Sequence, residues 1–248
     1  MGQPFLAKSN ERKAVFWVNL LDMSDSPQAS PAEKNNSNTM LVAESLFCER
    51  DDRILFQHLN FELTHGQVLQ IKGNNGSGKT TLLRILCGIN DSYEGAIFWY
   101  GHSIRARREE FFSELLYIGH RVGVNKILTP MENLRWSCNL QRSVADQDLR
   151  TALSAVGLRG FEDSQCFALS AGQQQRVSLA RLLVSKAKLW VLDEPFTTLD
   201  VEGVALLERL IAEHAENGGA VLVTTHHPLT VPQLQTLFLG QLPEGESR

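Results

Sequence analysis

Long apolar runs are missing from this sequence. No stretch approaches the roughly 18–20 apolar residues that cross a bilayer as a helix. The best candidate near the start, residues 14–21, is far too short. Lys8, Arg12 and Lys13 precede it, but no small-residue cleavage site follows, so a secretory signal is not expected. A membrane part, if there is one, is expected from another chain. Cysteine is scarce. Cys48, Cys87, Cys138 and Cys166 are the only four, and none forms a CxxC pair, which argues against a zinc site or a dithiol redox motif. That usage fits a reducing cytoplasm, and the apolar neighbours of Cys48 and Cys87 mark both as small core residues. A basic surplus is also missing. The formal net charge is -4, so nucleic acid is not the expected partner.

What is present is an ordinary globular composition, 43% hydrophobic and 21% charged, over 248 residues. That length suits one domain with a small subdomain. Residues 24–39 are polar and cannot bury enough surface to offset their ordering entropy. Residues 1–39 are therefore expected to be a disordered or non-native extension, with the globular pattern beginning after Met40. Residues 41–47, 54–63, 68–71 and 96–100 read as strands, and 79–87 as a helix closed by Gly88. Residues 130–158 read as two helices with a polar break near Ser143, and 173–186 as a strongly amphipathic helix. The apolar runs at 189–192 and 220–224 read as buried parallel strands flanking a helix at 201–217. Strands alternating with helices predict an α/β fold with a parallel sheet.

Gly73-Asn74-Asn75-Gly76-Ser77-Gly78-Lys79-Thr80 fits the pattern GxxxxGK[ST] between a strand and a helix. Glycines let backbone N–H groups converge on phosphate oxygens, and the helix start adds its positive dipole end. Lys79 is expected at the β- and γ-phosphates, Thr80 on Mg²⁺ and Thr81 at the α-phosphate side. Leu189-Trp190-Val191-Leu192-Asp193-Glu194 is a buried strand ending in two acids. Asp193 is expected to hold Mg²⁺, and Glu194, one residue beyond, to act as general base on water. A further apolar run ends in Thr225-His226-His227. Neighbours on an extended chain point opposite ways, so His226 is assigned to the γ-phosphate and His227 is read as exposed without a role.

Leu169-Ser170-Ala171-Gly172-Gln173 precedes Gln174-Gln175-Arg176 and resembles the signature of ABC ATPases, with Ala171 where a glycine is usual. Thr198-Leu199-Asp200 resembles that family's D-loop. A GTPase reading fails because Asn125-Lys126-Ile127-Leu128 lacks the aspartate of NKxD. The resemblance spans residues 41–239. It narrows at Cys48-Glu49-Arg50-Asp51, Tyr117-Ile118-Gly119-His120, Leu128-Thr129, Glu132-Asn133-Leu134 and Asp193-Glu194-Pro195-Phe196-Thr197, where the chain is similar to the CcmA family of cytochrome c maturation.

That resemblance implies a P-loop ABC-type fold with an antiparallel β portion near 41–70 and 96–104. It implies a helical subdomain near 121–168 and a flexible tail at 241–248. It implies ATP and Mg²⁺ as ligands. It implies a head-to-tail pair of identical chains in which Ser170, Ala171, Gly172 and Gln173 face the partner's nucleotide and Asp200 crosses the interface. Membrane partners resembling CcmB, CcmC and CcmD are implied, with the chain peripheral at the cytoplasmic face of a bacterial inner membrane. Hydrolysis would power haem export or release of a haem-loaded chaperone. Two positions depart from the general ABC pattern. His120 replaces the glutamine of the coupling loop, and since Mg²⁺ prefers oxygen ligands, coupling or contact through water is expected of it. Arg50 replaces the aromatic residue that stacks on adenine, a role a guanidinium also fills, with Phe47 as the alternative. Phe111, Phe112 and Trp136 are candidates for docking a membrane partner, although for any single one of them plain core packing is the preferred expectation. A soluble ABC ATPase of iron–sulfur assembly, or the ATPase of another exporter, fits the length. The His120 and Cys48–Asp51 segments favour the cytochrome c reading.

Overall fold

The computed structural model describes residues 38–121, 123–139 and 144–240. The proposed extension before residue 38, the break at Ser143 and the tail at 241–248 lie outside the described residues. Chain order is β1 (Thr39–Arg50), β2 (Arg53–Thr64), β3 (Val68–Lys72), α1 (Lys79–Leu86), β4 (Glu94–Trp99), β5 (His102–Ser103), α2 (Arg108–Ser113), β6 (Leu115–Ile118), α3 (Pro130–Asn139), α4 (Asp146–Ala155), α5 (Ala171–Val184), β7 (Leu189–Asp193), α6 (Val201–Glu216), β8 (Ala220–Thr224) and β9 (Leu234–Phe238).

The strands form two sheets. Asp51 and Asp52, both at positive φ, make a two-residue turn that pairs Arg50 with Arg53. Aspartate tolerates the left-handed region that such hairpin turns demand. The hairpin opens an antiparallel sheet in the order β2-β1-β4-β5. The second sheet, β6-β7-β8-β3-β9, is parallel in every pair. β3 thus leaves the antiparallel portion in which residues up to 70 were expected. Its side chains are buried on both faces, as a central parallel strand requires.

The parallel sheet is a middle layer, and the period-2 alternation of strand side chains divides its residues between two cores. Leu189, Val191, Ala220 and Leu222 pack with α1 and the antiparallel sheet. Trp190, Leu192, Val221 and Val223 pack with α3, α4, α5 and α6. α5 is not the one-faced helix its sequence suggests. Gln175, Val177, Ser178, Leu179, Ala180, Leu182 and Val184 are all buried, because α5 is packed between the sheet side and α3 and α4. All four cysteines are buried and unbridged.

Near the start of β7 the His214 ring stacks on Trp190, with centroids 3.8 Å apart and 5° between planes. Its Nε2 lies 3.2 Å from the Lys188 carbonyl. Burial holds its pKa below the ordinary imidazole value, and the carbonyl contact offsets part of that shift. The folded state therefore binds this proton less tightly than the unfolded chain, so its contribution to stability is full above about pH 6.5 and is lost as pH falls toward the folded value. Urea unfolding at neutral pH and at a pH below 6 is expected to show a smaller acid loss in His214→Phe than in the parent chain. An equal loss in both would remove His214 as the cause.

Candidate nucleotide site

The loop between β3 and α1 is shaped by what cannot fit in it. A Cβ on Gly73, at φ 155°, would lie 2.5 Å from both the Leu239 carbonyl oxygen and the Ser77 hydroxyl. Gly78 caps α1 at φ 96° and offers no side-chain hydrogen bond to the helix start. The first N–H groups of α1 are thus left for another acceptor, an arrangement that suits an anion. Lys79 Nζ donates to the carbonyls of Gly73 at 2.8 Å and Asn74 at 3.2 Å, so its ammonium lies against the loop.

Next to the loop, the ends of β7 and β8 are joined side by side. Asp193 pairs in register with Thr224 and is 1% exposed. Its Oδ1 accepts from the hydroxyl of Thr224 at 2.7 Å and from that of Thr80 at 3.2 Å. Its Oδ2 is buried with no hydrogen-bond partner. A buried carboxylate oxygen without a partner is costly. Together with the neighbouring Thr80 hydroxyl, it is the oxygen donor set a hard divalent cation takes, so these residues fit Mg²⁺. Glu194 follows at φ 51°, and its N–H donates to the Thr224 carbonyl at 3.0 Å. Its Oε1 lies 3.6 Å from His226 Nε2.

A cavity of about 500 Å³ gathers Arg50, Gly76, Gly78, Lys79, Thr80, Thr81, His120, Asp193 and Glu194, with Asn75 at its edge. Phe47 is not among its walls. A neighbouring cavity of about 580 Å³ shares Asn75 and Lys79 and adds Gly73, Asn74 and His226. Ser77 is buried beneath the loop. Of the nineteen residues chosen along the sequence, these fourteen lie together and five do not. Ser170, Ala171, Gly172, Gln173 and Asp200 line neither cavity. Ser170 caps α5 reciprocally with Gln173: its hydroxyl accepts from the Gln173 N–H at 3.2 Å, and the Gln173 side chain accepts from the Ser170 N–H at 2.9 Å. Asp200 caps α6 through the Gly203 N–H at 2.9 Å and takes Arg176 at 2.6 Å. These two contacts, the Gly203 bond first, hold its pKa below the ordinary carboxylate value.

One correction, one agreement and one omission follow from the geometry. His227 is half-buried rather than exposed: its ring lies 4.9 Å from that of Phe196, and its Nε2 is 3.3 Å from Glu208. Phe111 is a core residue, 1% exposed and edge-on to Trp99, which is the core packing expected of it over docking. Thr224 was not singled out as a site residue, although it holds both members of the acid pair. Its signal was the first hydroxyl after a four-residue apolar run, Ala220 to Val223.

The pattern of the ABC transporter family matches residues 56–197. A Hahella chejuensis protein named cytochrome c biogenesis ATP-binding export protein CcmA is 54% identical over 77% of this chain and 90% of its own length. The Vibrio parahaemolyticus protein of that name is 48% identical over 81% of this chain and 100% of its own length. Among solved structures, an ATP-binding subunit of an ABC transporter matches with a TM-score of 0.73 at 23% identity, covering 81% of this chain and 86% of that one. A dimeric ATP-binding cassette in a post-hydrolysis state with ADP and Pi matches at 0.68 and 22% identity, covering 76% and 88%. At these identities the two structures speak for the fold.

Thr224→Val keeps the shape of the side chain and removes its hydroxyl. Leaving Asp193 with one partner fewer is expected to cost about 1–3 kcal/mol in chemical unfolding. Nucleotide hydrolysis by the folded protein is expected to slow by about tenfold or more. Unchanged turnover would show that Thr224 does not set the position of the acid pair.

Proposed function

The chain belongs to the CcmA family of ABC transporter ATP-binding proteins, and we propose how its residues hydrolyse ATP and pass the work to a membrane partner. It is an ABC-type ATPase of cytochrome c biogenesis. The observation that carries the chemistry is Asp193, buried with one oxygen held and the other unpaired, 3.2 Å from Thr80 and one residue before Glu194.

The N–H groups of Gly73, Asn74, Asn75, Gly76, Ser77 and Gly78 surround the phosphates, and Lys79 exchanges the loop carbonyls for the β- and γ-phosphates. Thr80 and Asp193 would hold Mg²⁺, which when bound neutralises charge on the β- and γ-phosphate oxygens. Thr81 contacts the α-phosphate, and Arg50 lies at the base. Glu194 takes a proton from the attacking water as the new P–O bond forms. The bond to the β-phosphate breaks, and ADP departs with its electron pair. His226, beside Glu194, donates toward the γ-phosphate. The strained φ of Glu194 supports this role, because a residue held in the left-handed region costs about 1–3 kcal/mol and persists where the surrounding structure requires it.

Ser170, Ala171, Gly172 and Gln173 act on the nucleotide of a second copy of the chain, with Asp200 at the interface. In support, they lie at a helix start away from their own chain's cavities. The membrane side of the machine fits a groove of about 800 Å³ between β6 and the helices α3 and α5, walled by Phe112, Tyr117, Gly123, Trp136 and Arg181. Trp136 is 66% exposed there. His120 sits in the segment between Tyr117 and Gly123 and lines the nucleotide cavity, which supports a coupling role. The partner is a CcmB-like membrane subunit, with CcmC- and CcmD-like proteins. No described helix is long and apolar enough to cross a membrane. With a CcmB-like partner, the chain would work peripherally at the cytoplasmic face of the bacterial inner membrane. Hydrolysis there powers haem export or release of a haem-loaded chaperone.

Glu194→Gln is expected to keep ATP binding and to lower hydrolysis by about 10²–10⁴. The same variant, tagged and loaded with ATP, is expected to recover a CcmB-like protein and haem absorbance from detergent-solubilised membranes. Recovery of soluble iron–sulfur scaffold proteins instead would overturn the pathway. His120→Gln is expected to retain ATP hydrolysis, since coupling and not the chemical step is assigned to it. A dead enzyme would sink that assignment.

A further inference from the structure

The side chain of His226 is held by little of its own. It is 69% exposed, and Glu194 Oε1 lies 3.6 Å from its Nε2, beyond hydrogen-bond length. The backbone on either side of it is tied down. Before it, the buried Thr225 offers its carbonyl to the Gln70 side chain at 3.2 Å. After it, the His227 N–H donates back to the Thr225 hydroxyl at 2.9 Å. The His227 ring stacks on Phe196, with centroids 4.9 Å and planes 27° apart, and its Nε2 lies 3.3 Å from Glu208 of α6. Phe196 is itself buried and sits two residues after Glu194, in the turn whose Pro195 carbonyl takes the Gln175 side chain. The two histidines thus share one bend and face different groups. His226 faces Glu194, and His227 faces α6 and the turn that carries Glu194.

On the reading of His226 given above, we propose that His227 is its positioning residue. An exposed ring at the end of a strand samples many positions, and a misplacement of about 1 Å costs about 10²-fold in rate. Stacking on Phe196 fixes the tilt of the His227 ring, and Glu208 fixes its rotation within that plane. With Thr225 anchored ahead and His227 behind, the single residue between them has its backbone fixed at both ends. Its reach toward the γ-phosphate is set relative to Glu194, because Phe196 belongs to the same turn as Glu194. The phosphate donor and the base on water are thereby held in one frame. His227 takes no proton itself and acts through His226.

The test is ATP turnover by the full chain in its membrane complex, with KM read alongside kcat. His227→Ala is expected to lower kcat by about 10- to 100-fold with KM for ATP unchanged. His227→Gln keeps an N–H within reach of Glu208 and is expected to restore most of the rate. Glu208→Ala removes the same contact from the α6 side. It is expected to slow kcat as well, and to add nothing when combined with His227→Ala. A second readout is the His226 ring signal in NMR of the full chain with Mg²⁺ and adenylyl imidodiphosphate, expected to shift and broaden in His227→Ala. Unchanged kcat in His227→Ala and Glu208→Ala would overturn the proposal. So would a slowed variant whose His226 signal keeps its parental position. A His226→Ala variant that turns over ATP at the parental rate would overturn the reading of His226, and this proposal with it.

Discussion

The hydrogen bond from the Thr224 hydroxyl to Asp193 ties the ends of two neighbouring parallel strands at the point where the chemistry is assigned. The same threonine takes the Glu194 N–H on its carbonyl. One residue thereby sets where the acid pair sits and which way the chain turns after it. The bond exists only because β7 and β8 are in register, Asp193 opposite Thr224. β3 lies on the other side of β8 and delivers the phosphate loop to the same edge. Ligands of open parallel sheets collect beyond the carboxyl ends of the strands, and here three adjacent strands end there with complementary groups.

The helix starts divide by what they do. α5 and α6 close their first turns with their own side chains, Ser170 with Gln173 and Asp200 with Gly203. α1 begins on a left-handed glycine and has no such cap. A capped helix has spent some of its N-terminal donors internally, whereas an uncapped one leaves them for a ligand. The Ser170 cap also ties the residues at the start of α5 to one another. Arg176 of α5 reaches both the Val156 carbonyl, at 3.0 Å, and Asp200, at 2.6 Å. The segment after α4, α5 itself and the start of α6 are therefore joined through one guanidinium.

Two residues of strained backbone fall between these groups. Glu194 and Thr198 both have positive φ, 51° and 70°, within six residues of each other. Pro195 lies between them, and its carbonyl accepts from the buried Gln175 side chain of α5 at 2.9 Å. The strained turn is thus pinned from α5, the helix that Ser170 caps.

The sequence by itself determined the parts of this protein whose physics is local. Loop glycines, buried apolar runs and polar residues at strand ends each act through their own backbone or their immediate neighbours. The phosphate loop, β7, β8 and the acid pair were therefore legible. Tertiary structure decided what depends on which faces are covered. α5 reads as one-faced because its polar residues suggest solvent, yet Gln175 and Ser178 are buried against neighbours brought in by other segments. β6 and β9 are edge strands whose short runs become strands only because β7 and β3 offer them hydrogen bonds. His227 looked free until Phe196 and Glu208 packed against it. Thr224 became a site residue only when strand register placed it opposite Asp193. Register and packing are sums over distant contacts, and no local window of sequence contains them.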